Sequence, residues 1–167
     1  PIENIYGLSK AVMERIFISS NNISKSKFIC LRFGNVAWST GSVFPIWKKM
    51  LSERGKILTT GPYMRRFIFS VNDAIELIKF SIDKSNILSG KIICPEMKSS
   101  KMIDIIKYWT KTYGGNHKII KKRLGDKDDE ILIAENELKN TSIINYKSKR
   151  YFIIDPYINR KKILKKK

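Results

Sequence analysis

Histidine, cysteine and acidic residues are all scarce in this sequence. Its 167 residues include one histidine, two cysteines and 15 aspartates or glutamates, against 33 lysines and arginines. The single histidine, His117, supports neither a histidine-based zinc site nor a Ser-His-Asp triad, so we expect no metal site. Cys30 and Cys94 stand in apolar, strand-like segments without CxxC spacing, which is typical of reduced core thiols in a cytosolic protein.

Long apolar runs and a glycine-rich nucleotide-binding turn are lacking as well. No stretch is long and apolar enough to cross a bilayer, and the first residues do not resemble a secretory signal. We therefore expect no membrane segment in this chain and a cytoplasmic location. No G-x-G-x-x-G pattern follows a strand-like segment, and Gly34 and Gly41 do not supply one.

The positive charge of the chain is large but dispersed. A formal net charge of +18 is compatible with a nucleic acid, an anionic membrane or an acidic small molecule as partner. Lysine far outnumbers arginine, and no segment interleaves aromatic residues with arginine as single-strand binders do. These features favour a solvated basic surface over a specific nucleic-acid site.

Helix-like and strand-like segments alternate along the chain, which predicts an α/β fold. Apolar residues at helical spacing predict helices over 7–20, 43–53, 70–82 and 103–112. Short apolar or extended segments predict strands over 28–33, 57–60, 66–69, 91–94, 117–121 and 151–154. In the first helix we expect an apolar side made by Val12, Met13, Ile16 and Phe17.

Tyr6 and Lys10 form a pair of chemical interest on the first predicted helix. Residues four apart project from one face of a helix, about one turn apart. An ammonium held near a phenol stabilises the phenolate, so the tyrosine can take a proton near neutral pH. That pairing suits removal of a hydroxyl proton while hydride leaves the same carbon for a nicotinamide. The spacing alone equally fits a solvated lysine beside a half-buried tyrosine.

Five segments in order and spacing resemble one enzyme family. They are residues 4–10, residues 32–36 with 39–45, residues 64–67, residues 95–104 and residues 123–127. Together they resemble the extended short-chain dehydrogenases/reductases, and among these the UDP-N-acetylglucosamine 4,6-dehydratases (the CapD/FlaA-like polysaccharide biosynthesis proteins). The resemblance implies the carboxyl part of a Rossmann-type fold with a small substrate-binding lobe. It also implies a role in bacterial capsule, lipopolysaccharide or other surface-glycan synthesis.

The resemblance implies a lyase reaction and the residues that carry it. The sugar is oxidised transiently at C4 by bound NAD or NADP, water is lost from C6, and hydride returns to C6. Tyr6 is implied as the catalytic base and Lys10 as its partner, and the residues implied at the cofactor are Tyr6, Lys10 and Val36. The residues implied at the substrate are Asn35, Arg66 and Arg123 for the diphosphate, Thr60 for the uracil and Asp126 for the nucleotide ribose.

Several positions depart from the pattern of the family. Trp38 and Thr40 stand where many members have Gly and Arg, and Leu124 replaces a proline. These departures leave open another amino-sugar nucleotide as substrate. A 4-epimerase or reductase of the same fold also stays open, because Tyr6 and Lys10 would serve any of these enzymes. Two hypotheses from other classes are a non-catalytic nucleotide-sugar module and a nucleic-acid-binding domain.

The resemblance also predicts how the chain is divided. We expect residues 1–56 to end the dinucleotide-binding domain, 57–150 to form the substrate lobe with returning sheet elements, and 151–167 to form a terminal segment and basic tail. The cofactor glycine motif and the elimination acid and base would precede Pro1. We therefore interpret the chain as an inactive carboxyl part of a longer enzyme. That enzyme would bind NAD or NADP mainly through the missing amino-terminal part, take a UDP-amino-sugar and form a homo-oligomer.

Overall fold

Residues 5–121 and 128–157 are described by a computed structural model of the protein. In chain order the described elements are α1 (Ile5–Ser20), β1 (Cys30–Leu31), β2 (Asn35–Val36), α2 (Val43–Arg54), β3 (Lys56–Thr59), β4 (Arg65–Phe69), α3 (Val71–Asp83), α4 (Ser85–Leu88), β5 (Ile92–Pro95), β6 (Ser99–Lys101), α5 (Met102–Tyr113), β7 (Asn116–Ile119), α6 (Glu135–Leu138), β8 (Thr141–Tyr146) and β9 (Lys149–Ile154). Helices and strands alternate, so the predicted α/β class is confirmed.

The chain forms two compact units whose segments interleave along the sequence. The α1 unit contains Tyr6–Phe33, Asn72–Glu96 and the described chain from Ile131 onward. The Arg66 unit contains Gly34–Val71 and Met97–Glu130. Each unit has its own sheets and its own core. The functional division predicted from the sequence stays a prediction.

The α1 unit is built on a four-stranded sheet in the order β1-β5-β9-β8. Strand β1 pairs with β5 in parallel, whereas β9 is antiparallel to both β5 and β8. All four residues of β5 are buried, which is typical of a strand covered on both faces. Phe80 of α3 is fully buried and stacks on Tyr151 of β9, with 4.0 Å between the ring centroids.

The Arg66 unit has an aromatic core beneath a three-stranded sheet, β2-β4-β6, and a two-stranded sheet, β3-β7. Phe44 and Trp47 of α2 occur at helical spacing, and both are buried. The Phe44 ring stacks on Trp109 of α5 at 5.1 Å and 4°. Helix α2 ends where Gly55 adopts the left-handed conformation, with φ 62°, and its N–H donates to the Leu51 carbonyl.

Trp38 shows how one departure from the family pattern is accommodated. Its φ is 64°, a left-handed conformation that favours glycine, the residue that many family members have there. The Trp38 ring contacts Phe44 at 5.8 Å and Trp109 at 5.5 Å between centroids. We infer that these ring contacts compensate for the strained backbone.

The expected apolar side of α1 is not a buried face within the described structure. Val12, Met13, Ile16 and Phe17 are each 44–56% exposed, whereas Ile18 is buried against β5 and β9 residues. The four side chains belong to one helix, as the sequence predicted, and that helix leaves them exposed within the described structure. In addition, no helix among the described residues has the length and apolarity to span a bilayer.

The stacking of Phe80 on Tyr151 predicts a large loss of stability for Phe80→Ala. Truncating a fully buried phenylalanine should lower the free energy of unfolding by about 3–5 kcal/mol, because a cavity replaces its packing. Ile82→Ala on the same helix is the matched control, since Ile82 is 66% exposed and its loss should cost below about 1 kcal/mol. Urea unfolding of both variants measures the difference. Equal losses would mean that Phe80 is not a core residue.

Candidate functional site

Tyr6 and Lys10 lie one turn apart near the amino end of α1 and are in contact. The Lys10 ammonium lies over the Tyr6 ring, 5.1 Å from its centroid, in a cation–π contact. Lys10 Nζ also lies 4.0 Å from Met13 Sδ, one turn further along. Tyr6 is 73% exposed, so its phenol is open to a reactant. The arrangement can place a phenol and an ammonium against one ligand hydroxyl.

Further along the same helix, Glu14 is held by Arg32, which directly follows β1. Two parallel bonds join the side chains: Arg32 Nε and Nη2 donate to the two Glu14 carboxylate oxygens, both at 2.7 Å. The guanidinium also donates to both carboxylate oxygens of Glu137, at 2.7 and 2.8 Å, and to the Leu132 carbonyl at 2.8 Å. These contacts employ all five N–H groups of an arginine. We call this group the Arg32 bridge.

Hydrogen bonds and opposite charges within the Arg32 bridge favour the ionised forms of Arg32 and Glu137. Burial alone would lower the pKa of Arg32, but hydrogen bonds and charge from Glu14 and Glu137 outweigh it and raise that pKa. Burial alone would raise the pKa of Glu137, yet the Arg32 contacts and the Ala134 N–H lower it. The bridge is therefore an ion triad rather than a set of neutral hydrogen bonds.

The two cysteines belong to the sheet of this unit and are free thiols. Burial raises the pKa of the Cys30 thiol to about 11, and burial likewise raises that of Cys94 to about 11. Thiols with such pKa values are almost wholly protonated near neutral pH and are poor nucleophiles.

In the Arg66 unit, the structure brings Asn35 and Arg66 together at a third side chain, Glu130. Asn35 Nδ2 donates to the Glu130 carboxylate at 3.1 and 3.2 Å, and Arg66 Nε lies 3.5 Å from Glu130 Oε1. The N–H of Phe67 donates to the same carboxylate at 3.4 Å. Glu130 was missed in the sequence analysis. Glu130 closes a run of three acidic residues, Asp128, Asp129 and Glu130, that follows the segment at 123–127, and nothing in the sequence marks it from the other two.

Gly34 explains how Asn35 reaches this position. A Cβ on Gly34 would lie 2.5 Å from the Phe67 carbonyl oxygen, closer than real Cβ contacts allow. Glycine therefore lets β2 approach β4, where Asn35 is in register with Ile68. Asn35 Nδ2 also lies 3.3 Å from the Phe67 carbonyl. Beyond Glu130, Arg66 Nη1 donates to the Arg65 carbonyl at 2.8 Å and the Asp128 carbonyl at 3.3 Å.

The remaining residues of the predicted site are less directly described. Val36 is half-buried in β2, and Thr60 is half-buried directly after β3, which belongs to the other sheet of the Arg66 unit. Arg123 and Asp126 lie outside the described residues. The structure thus joins Tyr6 with Lys10, and Asn35 with Arg66, within separate units.

A family model described as polysaccharide biosynthesis protein matches residues 1–154. The chain belongs to this family. A relative in Campylobacter jejuni, a UDP-N-acetylglucosamine 4,6-dehydratase (inverting), is 33% identical over 159 residues, which are 93% of this chain and 45% of the relative. The present chain therefore spans about half the length of the curated relatives that it matches.

Solved structures agree with the Rossmann-type fold expected for the family. A Bacillus thuringiensis protein named Pen superimposes with a TM-score of 0.83 at 26% identity, over 92% of this chain and 48% of that protein. TunA, an NAD-dependent NDP-hexosamine 5,6-dehydratase of tunicamycin biosynthesis, gives a TM-score of 0.63 at 16% identity, over 74% of this chain and 42% of TunA. The latter similarity concerns the fold alone. Together with the family match, these findings confirm the resemblance inferred from the five segments.

The ion triad predicts a specific acid dependence of stability. Because the folded-state pKa of Glu137 is lowered, the contribution of Glu137 to stability is complete above its ordinary pKa of 4.5. That contribution is lost as the pH falls through the lowered value, when the carboxylate must be protonated in the folded state. Glu137→Gln should cost about 1.5–3 kcal/mol at neutral pH and much less in acid.

Urea unfolding from neutral pH down to about pH 3 tests this dependence. Glu135→Gln, at an exposed position of the same short helix, is the matched control and should follow the wild type. A constant difference between Glu137→Gln and wild type at every pH would contradict the ion triad.

Proposed function

We propose that the complete protein to which this chain belongs is a nucleotide-sugar 4,6-dehydratase of surface-polysaccharide synthesis. Its substrate is a UDP-N-acetylglucosamine-like sugar nucleotide, its cofactor NAD or NADP, and its location the cytoplasm. The observation that carries the proposal is the contact between the exposed Tyr6 and Lys10 on α1. It is supported by the Campylobacter jejuni relative, which bears the dehydratase name and aligns with 93% of this chain.

On this proposal, Tyr6 is the base that takes the proton of the sugar C4 hydroxyl. Its ring is exposed at the amino end of a helix, where a reactant can approach the phenol oxygen. The ammonium of Lys10 stabilises the phenolate before the proton arrives and can also donate to a ribose hydroxyl. The Tyr6 hydroxyl and the Lys10 ammonium are donors suited to the ribose hydroxyls at the nicotinamide end of a dinucleotide. A nicotinamide held beside Tyr6, Lys10 and Val36 would supply the hydride acceptor for C4 and, once water has been lost from C6, the hydride donor to C6.

The substrate diphosphate is proposed to bind at Asn35, Arg66 and Arg123. Asn35 and Arg66 support this assignment because both contact Glu130, Asn35 from β2 and Arg66 from the neighbouring strand β4. Arginine presents a planar fork of donors that matches paired phosphate oxygens. Thr60 at the uracil, Asp126 at the nucleotide ribose and Val36 beside the nicotinamide complete the proposed site.

Tyr6→Phe tests the proposed function in the complete enzyme. Removing the phenol oxygen removes the base, so turnover of the UDP-sugar should fall by roughly 10²–10⁴, while substrate affinity changes little. Tyr63→Phe is the matched control, because Tyr63 is likewise exposed, at 75%, but lies outside the proposed site. Product formation from UDP-N-acetylglucosamine, followed by NMR, measures both variants. A Tyr6→Phe enzyme with most of its activity would show that Tyr6 is an ordinary helix residue.

A further inference from the structure

The Arg32 bridge has a geometric relation to Tyr6 that the proposed function does not use. We infer that Arg32 and Glu14 are positioning residues, which fix the orientation of α1 and hence the direction of the Tyr6 phenol. This inference rests on the proposed function, since it assigns a task to residues behind the proposed base. Neither residue is a catalytic residue, because both act through α1.

Tyr6, Lys10 and Glu14 follow one another at intervals of four residues. They therefore share one face of α1, with Glu14 about 12 Å along the axis from Tyr6. A rotation of the helix about its axis would move all three side chains together. Whatever fixes the direction of Glu14 consequently fixes the direction of Tyr6.

Arg32 fixes the orientation of the Glu14 carboxylate as well as its position. Its two oxygens accept parallel hydrogen bonds from Arg32 Nε and Nη2, both at 2.7 Å. A paired fork of this kind restricts the plane of the carboxylate, which a single-point contact with an ammonium would not do. The side chains of Arg32 and Glu14 are 21% and 15% exposed, so water screens the pair only partly.

Arg32 is anchored independently of α1. Its backbone N–H donates to the Ile93 carbonyl at 2.8 Å, which extends the pairing of β1 with β5. Its Nη1 donates to the Leu132 carbonyl, and Glu137 accepts from the far side of the guanidinium. The fork therefore ties α1 to the sheet through a side chain that does not move with the helix.

Within the described structure, the amino end of α1 has little packing that could orient it. Tyr6, Leu8 and Lys10 are exposed in the described structure, so side-chain packing there does little to orient them. A base must keep its oxygen within hydrogen-bond reach of the substrate, and a misplacement of about 1 Å can cost 10²-fold in rate. Loss of the fork should therefore lower kcat rather than substrate binding.

Glu137 provides an internal control for a purely structural role of the bridge. Glu14 and Glu137 make paired bonds of similar length to the same guanidinium, and each side chain is 15% exposed. Glu14 belongs to α1, whereas Glu137 belongs to α6. If the bridge served stability alone, removing either carboxylate would have the same effect on catalysis.

The experiment compares Glu14→Gln with Glu137→Gln in the complete enzyme, using UDP-N-acetylglucosamine as substrate. We expect Glu14→Gln to lower kcat by roughly 10- to 100-fold with KM within about threefold of wild type. Glu137→Gln should keep kcat within about threefold of wild type. In a Tyr6→Phe background, Glu14→Gln should lower the residual rate no further, because the residue that it positions is gone.

Amide hydrogen exchange of this chain supplies a readout besides activity. Glu14→Gln should accelerate exchange in α1 more than Glu137→Gln does. Should Glu14→Gln fail to fold, Glu14→Asp keeps the charge but shifts the carboxylate, and it should still lower kcat at unchanged KM. Equal kcat for Glu14→Gln and Glu137→Gln, or full kcat for Glu14→Asp, would overturn the inference.

The two proposals fail in distinguishable ways. An inactive Tyr6→Phe enzyme together with a fully active Glu14→Gln enzyme would refute the positioning role and leave the base assignment intact. An active Tyr6→Phe enzyme would refute the proposed function itself, and the positioning role would fall with it.

Discussion

The bond network of Arg32 is the interaction on which much of the α1 unit depends. One guanidinium at the end of β1 holds a carboxylate on α1, a carboxylate on α6 and the carbonyl of Leu132. Taking these charges partly out of water is costly, and the cost is offset only because every donor has a partner. These contacts fix three parts of the unit to one another: the sheet, helix α1 with Tyr6 and Lys10, and the segment that contains Leu132 and α6.

A basic chain uses its few acidic residues at such structural points. Glu14 and Glu137 bind Arg32 in the α1 unit. In the Arg66 unit, Glu130 accepts a hydrogen bond from Asn35 and pairs with Arg66. On the surface of the α1 unit, Lys149 is similarly held by Asp73 and Glu76.

How much the sequence could predict depended on whether the signal was local. Helices α2 and α5 were predicted because apolar residues at helical spacing, such as Phe44 and Trp47, mark the buried face directly. Strand β6 was missed because its three residues, Ser-Ser-Lys, are all exposed and are strand only through pairing with β4. The short β2 and the mixed pattern of β8 were missed for the same reason, since pairing partners distant in sequence decide them.

The same distinction between local and distant signals applies to the candidate site. The contact of Tyr6 with Lys10 follows from helix periodicity and was accessible from spacing alone. Glu130 lies 95 residues from Asn35 and Glu137 lies 105 residues from Arg32 in the chain, so no spacing rule could pair them. The exposure of the apolar side of α1 could not be predicted from the sequence, because periodicity defines a face of a helix and not what covers it.

The central claim, a 4,6-dehydratase with Tyr6 as base, is tested most directly by following one atom. The complete enzyme is supplied with UDP-N-acetylglucosamine that carries deuterium at C4, and the product is examined by NMR. A dehydratase should yield a 4-keto-6-deoxy sugar with the deuterium at C6. A product with deuterium retained at C4 of the inverted sugar would identify a 4-epimerase and contradict the account.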